Sequence, residues 1–210
     1  MRTIVVGLGV QGKKRLNIAG SDVIHTVDPI SKAADFKSIF DVPHESFKAA
    51  LCCIPDQPKF ELLSYLLKNK KHVLVEKPLW VENSNDIKKL QKLAIENNVQ
   101  CYTAYNHRFE PHLQKMRSII NSGELGKIYR CRLFYGNGTA RLVRNSQWRD
   151  KGAGVLPDLG SHLLDTVLYW FGYPSCDYKI TSCSTFENKS PISNIPLYFN
   201  KKLNLHLNKN

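Results

Sequence analysis

The apolar, β-branched run Thr3 to Val6 leads directly into Gly7-x-Gly9-x-x-Gly12, and a helix-like pattern follows. Each glycine at this spacing has a mechanical task. Gly7 permits a tight strand-to-helix turn, Gly9 lets the backbone approach a pyrophosphate, and Gly12 lets the helix pack closely on the strand. The helix N-terminus adds free N–H groups and the positive end of its dipole. Three glycines alone are weak evidence, because glycine turns are common. The context supplies the rest: a strand before, a helix after, and Asp28 closing the next apolar segment, Val23 to Val27. A carboxylate there accepts hydrogen bonds from the ribose hydroxyls of NAD and repels a 2′-phosphate, although nearby Lys32 tempers that preference against NADP. The alternative is a structural turn followed by an ordinary strand-end Asp.

A chain of 210 residues, 42% hydrophobic and 23% charged, is globular and long enough to bury a core. No apolar run reaches the length of a membrane span, and Met1-Arg2 runs straight into the first strand with no room for a signal peptide. A cytoplasmic protein is expected. The six cysteines show neither a CxxC pair nor zinc-like spacing, so all six are expected to be reduced and no metal site is expected. The net charge of +12 raises nucleic acid as a partner. Its lysines, however, fall mostly in helix-like segments such as Lys88-Lys89-Leu90-Gln91-Lys92, with no nucleic-acid signature beside them. Solvated helix faces, or a field that favours anionic ligands, account for the charge better. No nucleic acid and no membrane partner are expected.

Further along, helices are expected at about 11–19, 60–67 and 80–97, and strands at 23–27, 49–54, 72–75 and 99–104. The stretch 31–47 is compressed into short fragments. In parallel sheets ligands bind at the carboxyl ends of strands, so Pro55-Asp56-Gln57-Pro58 either borders a cofactor crevice or is a rigid turn before the next helix, and Glu76-Lys77-Pro78 ends the following strand next to that crevice. Lys77, next to a buried strand, is placed for proton transfer, and Pro78 biases it toward an extended backbone. The alternating segment Gly126 to Tyr135 reads as a half-exposed strand beginning a second domain. Arg141, Arg144 and Arg149 lie in a polar loop where they either grip an anionic substrate group or are simply solvated. Asp158, His162 and Asp165 are spaced to share one helix face. A carboxylate one turn from an imidazole can fix its tautomer, though the same spacing also occurs in surface pairs and by coincidence in metal ligands.

Four motifs in order, from residue 4 to about 172, resemble the Gfo/Idh/MocA oxidoreductases. They are the glycine fingerprint with the strand ending at Ile54-Pro55, His72-Val73-Leu74-Val75-Glu76-Lys77-Pro78-Leu79, Tyr105-Asn106-His107-Arg108-Phe109-Glu110-Pro111, and Gly152 to Asp165. The resemblance implies an α/β chain: a doubly wound parallel Rossmann sheet at 1–106, then an incomplete α+β substrate domain with an open sheet at 107–187. It also implies an NAD(P)-dependent dehydrogenase acting on a secondary alcohol of a sugar, phosphorylated or nucleotide-linked, and a homo-oligomer. Carried over by position, Lys77, His162 and Asp158 are the catalytic candidates. Cofactor candidates are Gly7, Gly9, Val10, Gln11, Gly12, Asp28, Ile54, Pro55, Glu76, Lys77 and Asn106. Substrate candidates are Arg108, Arg149, Asp158 and His162. The resemblance fades after about Cys176, and 188–210 contains no Asp or Glu and sustains no period, an atypical tail with the composition of a disordered segment. Either a shortened chain ending in an unrelated tail or a minimal member fits this, and a non-catalytic NAD-binding subunit is the rival function.

Overall fold

Five short apolar runs form one parallel sheet in the computed structural model, which describes residues 1–79, 83–135 and 156–173. They are β1 (Thr3–Val6), β2 (Val23–Val27), β3 (Ala49–Cys52), β4 (His72–Val75) and β5 (Cys101–Thr103). Their order across the sheet is β2-β1-β3-β4-β5, and every neighbouring pair runs parallel. The chain leaves β1 toward β2 and then returns to the other side of β1, so the topological switch point lies between β1 and β3. β1 is buried along its whole length, as a strand covered on both faces must be.

Helices α1 (Val10–Ala19), α2 (Lys59–Lys68) and α3 (Ser84–Glu96) connect these strands. On α2, Leu63, Leu66 and Leu67 form the buried stripe and join Ile4, Val6, Ala50, Val73 and Val75 in the core. Each such leucine contributes about 1.5–3 kcal/mol by leaving water. Between β2 and β3 the expected compression holds: two 3₁₀ turns, Ile39–Asp41 and His44–Ser46, replace a helix. Ile39, Val42 and Phe47 fill the core there. The chain around Phe36 runs beside β2 and covers its edge through a bridge to Val27.

The chain divides into two units, Met1–Ala104 and Tyr105–Asn210. The second holds a 3₁₀ turn (Asn106–Phe109), α4 (Pro111–Ser122), a π-helical turn (Leu156–Gly160) and α5 (Ser161–Phe171). Two expectations are corrected here. Residues 126–135 form no strand and pair with no strand among the described residues, and Tyr129 and Phe134 are each 86% exposed; alternation alone does not make a sheet. Asp158 lies in the π turn and not on the α-helix, so it does not continue the α-helical register of His162 and Asp165. Arg141, Arg144, Arg149, the turn at Gly152-Gly154 and the tail at 188–210 lie outside the described residues, as do Cys176 and Cys183. No helix among the described residues is long and apolar enough to cross a membrane.

Candidate active site

The three glycines of the first loop are held by different causes. Gly7 has φ +90°, and a Cβ on it would meet the Cys53 carbonyl oxygen within 2.3 Å. A Cβ on Gly12 would collide with the carbonyl oxygen of Gly7. Both are therefore required by the close packing of α1 on β1 and β3. Gly9 differs: its φ of −66° suits any residue, and a Cβ there would meet nothing within 4 Å. It stands at the N-terminus of α1, which has no side-chain cap and no acid in its first turn. The N–H groups of Val10, Gln11 and Gly12 precede the first intrahelical bond, Lys13 N–H to the Gly9 carbonyl. Open space beside unpaired donors fits a pyrophosphate.

Asp28 is bound from two loops. Its Oδ2 accepts the Leu8 N–H at 2.7 Å, and its Oδ1 accepts those of Ile30 at 2.9 Å and Ser31 at 2.7 Å. These N–H groups, Leu8 foremost, hold the carboxyl below the usual carboxylate value against the opposing effect of burial, and the Lys37 charge adds to them. Three of about four acceptor positions are used, which leaves room for a ribose hydroxyl. The sequence suggested only the ribose role; Asp28 also staples the glycine loop to the end of β2.

At the ends of β3 and β4, Ile54 lies against Gly7, and Pro55 is exposed. Glu76, a cofactor candidate, has its Oε1 taken by Arg15 of α1, from Nε at 2.9 Å and Nη2 at 2.7 Å. That bond ties α1 to the Glu-Lys-Pro turn. Lys77 is half-buried and precedes Pro78 through a cis peptide bond. Burial, then the charge of Glu76, pushes the Cys53 thiol up to about 12.

In the second unit, His162 is 7% exposed and enclosed by rings. The His107 imidazole stacks on it at 4.3 Å and 26°, while Tyr105 and Tyr135 approach edge-on at 5.9 and 6.4 Å. Burial and the charge of Asp165 raise the Tyr105 phenol. Arg108, a substrate candidate, is engaged at two points by Asp165, so it is a charge already paired. Asn106 is exposed in the 3₁₀ turn, and Asp158 is half-buried.

Residues 1–105 match the sequence model described as "Oxidoreductase family, NAD-binding Rossmann fold", and residues 113–185 match the GFO/IDH/MocA C-terminal domain. The chain belongs to the GFO/IDH/MocA oxidoreductase family. Its first half is that family's NAD-binding Rossmann domain. Similar relatives include an uncharacterized oxidoreductase of Schizosaccharomyces pombe, 32% identical over 58% of this chain and 33% of the relative. Glucose-6-phosphate 3-dehydrogenase of Bacillus subtilis is 31% identical over 50% of this chain and 31% of its own length. The chain thus spans about a third of these relatives. Among solved structures, scyllo-inositol dehydrogenase from Lactobacillus casei, with NAD(H) and scyllo-inositol bound, shares the fold at a TM-score of 0.67 and 19% identity. That likeness covers 85% of this chain and 56% of the other.

The roles of three residues of this GFO/IDH/MocA chain escaped the sequence reading: Arg15, His107 and Lys59. For Lys59 a signal existed. It falls at i, i+4 and i+7 with Leu63 and Leu66, a lysine on the apolar stripe of α2.

Proposed function

We propose that this chain is an NAD-linked dehydrogenase acting on a secondary alcohol of a sugar or polyol, with phosphorylated or nucleotide-linked sugars the first substrates to try. The observation that carries the reading is Gly9: its small size answers no demand of the protein's own packing, and it faces open space at the donor end of α1. The relatives' sugar and inositol substrates support the choice of alcohol.

When bound, the nicotinamide supplies the site that accepts or returns a hydride. The first-turn N–H groups of α1 hold the phosphates, and Asp28 accepts a ribose hydroxyl. Lys77, at the carboxyl end of β4, orients the reacting hydroxyl. His162 takes the hydroxyl proton, its ring packed against His107 and the two tyrosines, and Asp158 is the acid assigned to orient it. Arg108 acts as a positioning residue through Asp165. Arg15 holds Glu76 and with it the base of the Lys77 turn.

A fluorescence titration of the 210-residue chain with NADH, followed by a sugar and sugar-phosphate panel read as NADH formation, tests this. Saturable binding with substrate-dependent turnover supports the reading. Lys77→Met then abolishes turnover and leaves NADH binding nearly intact. Binding without any turnover would leave a cofactor-binding subunit in place of an enzyme, and a fully active Lys77→Met variant would overturn the assignment of Lys77.

A further inference from the structure

Two lysines are buried in the first unit, one at each end of the sheet. Lys71 precedes β4, and its ammonium donates to the carbonyls of His44 at 2.7 Å and Phe47 at 3.0 Å while lying over the Phe47 ring. Those partners precede β3, at the amino ends of the strands, so Lys71 closes the core away from the glycine loop. Lys59 is deeper, 2% exposed, and belongs to the carboxyl ends. Its Nζ donates to Asp56 Oδ1 and to the Pro78 carbonyl, both at 2.6 Å. Asp56 lies in the loop that leaves β3, and Pro78 directly follows Lys77 in the loop that leaves β4.

Nothing in the packing of α2 asks for a charge here. A leucine at 59 would extend the stripe of Leu63, Leu66 and Leu67 and avoid taking an ammonium out of water, which is costly even when the charge is paired. What a leucine cannot do is join the two loops. The strand order says what those loops face. Asp28 and the glycine loop stand at the ends of β2 and β1, whereas β3 and β4 lie on the other side of β1. A dinucleotide with its adenosine ribose at Asp28 and its pyrophosphate at α1 directs its remaining half toward the loops that Lys59 ties.

We infer that Lys59 is a positioning residue for the nicotinamide half of the cofactor, fixing the exits of β3 and β4 against each other and thereby seating Lys77. The inference rests on the dinucleotide reading above. Its test compares two probes on the whole chain by titration calorimetry: NADH, and ADP, which keeps the adenosine and both phosphates but lacks the second ribose and the nicotinamide. Lys59→Met is expected to weaken NADH binding by about tenfold or more, the loss of one charged hydrogen bond, with ADP binding kept within about twofold. Lys59→Arg, which keeps a donor, restores NADH affinity toward that of the parent chain. A parallel loss of both ligands in Lys59→Met, or no loss of either, overturns the inference. Asp56→Asn is the second variant, since Asp56 is half-exposed and its change does not threaten the fold. It should weaken NADH several-fold and spare ADP, and an unchanged NADH affinity in it overturns the inference as well. A parent chain that binds neither probe overturns the dinucleotide reading itself, and the inference with it.

Discussion

The Arg108 guanidinium holds the Asp165 carboxylate at two points, Nε to Oδ2 at 2.8 Å and Nη2 to Oδ1 at 2.5 Å, joining the turn at Asn106–Phe109 to α5. Asp165 is 6% exposed, and the guanidinium faces its carboxylate inside the fold. Removing Arg108 alone leaves a buried carboxylate uncompensated, at a cost of about 3–5 kcal/mol. Arg108→Met should therefore lower the urea stability of the second unit by about that much. The double variant Arg108→Met/Asp165→Leu should lose clearly less than the sum of the two single changes, because neither charge is then stranded. Additive losses would show that the pair is not coupled.

The glycines of the first loop separate folding from binding. Gly12→Ala puts a methyl group onto the Gly7 carbonyl oxygen, so α1 must move off the sheet at a cost of about 1–3 kcal/mol or more. Its thermal midpoint should fall clearly. Gly9→Ala meets no atom and needs no unusual φ, so its midpoint should match the parent's while NADH affinity drops by about tenfold, the weight of one charged hydrogen bond. Equal affinities for the parent and Gly9→Ala would remove the main support for a phosphate at this position.

Asp28 gives a pH dependence whose sign follows from its partners. The Leu8, Ser31 and Ile30 N–H groups hold it below the ordinary carboxylate value, so the ionised group stabilises the fold in full above that ordinary value. The contribution is lost as pH falls from there through the depressed folded value. Urea midpoints of the parent and Asp28→Asn should differ by a constant amount between pH 5 and pH 7 and converge below about pH 4. A difference that instead grew on acidification would contradict the Leu8, Ile30 and Ser31 bonds.

Much of this was legible in the sequence, for physical reasons that differ by residue. β1, β3 and β4 were visible because a strand covered on both faces must be apolar throughout, and Gly7 and Gly12 because their spacing is a packing requirement. The segment 126–135 misled because alternation records which faces differ, not whether a partner strand is present. Arg108 and Asp165 lie 57 residues apart, and no local spacing marks such a pair. Asp158 was placed on an α-helical face by counting residues, which cannot see a π turn. Lys59 was overlooked because its composition reads as surface, although the stripe it interrupts was in plain view.

The proposed dinucleotide site gives the carboxylate that staples the loop a second task, the choice of coenzyme. With its oxygens accepting from Leu8, Ile30 and Ser31, Asp28 is an ionised acceptor that offers a ribose hydroxyl a partner and a 2′-phosphate only repulsion. Lys37 keeps its positive charge near Asp28 while its Nζ donates to the Ser31 carbonyl, so it narrows the preference without reversing the sign of the carboxylate. The parent chain should bind NADH more tightly than NADPH, and the gap should narrow in Asp28→Ser, chiefly through weaker NADH binding. Because Asp28→Ser also loosens the bond to Leu8, the ratio of the two affinities is the informative quantity, since a weakened glycine loop lowers both together. A parent ratio near one would mean that Asp28 serves the loop alone and that the coenzyme is selected elsewhere.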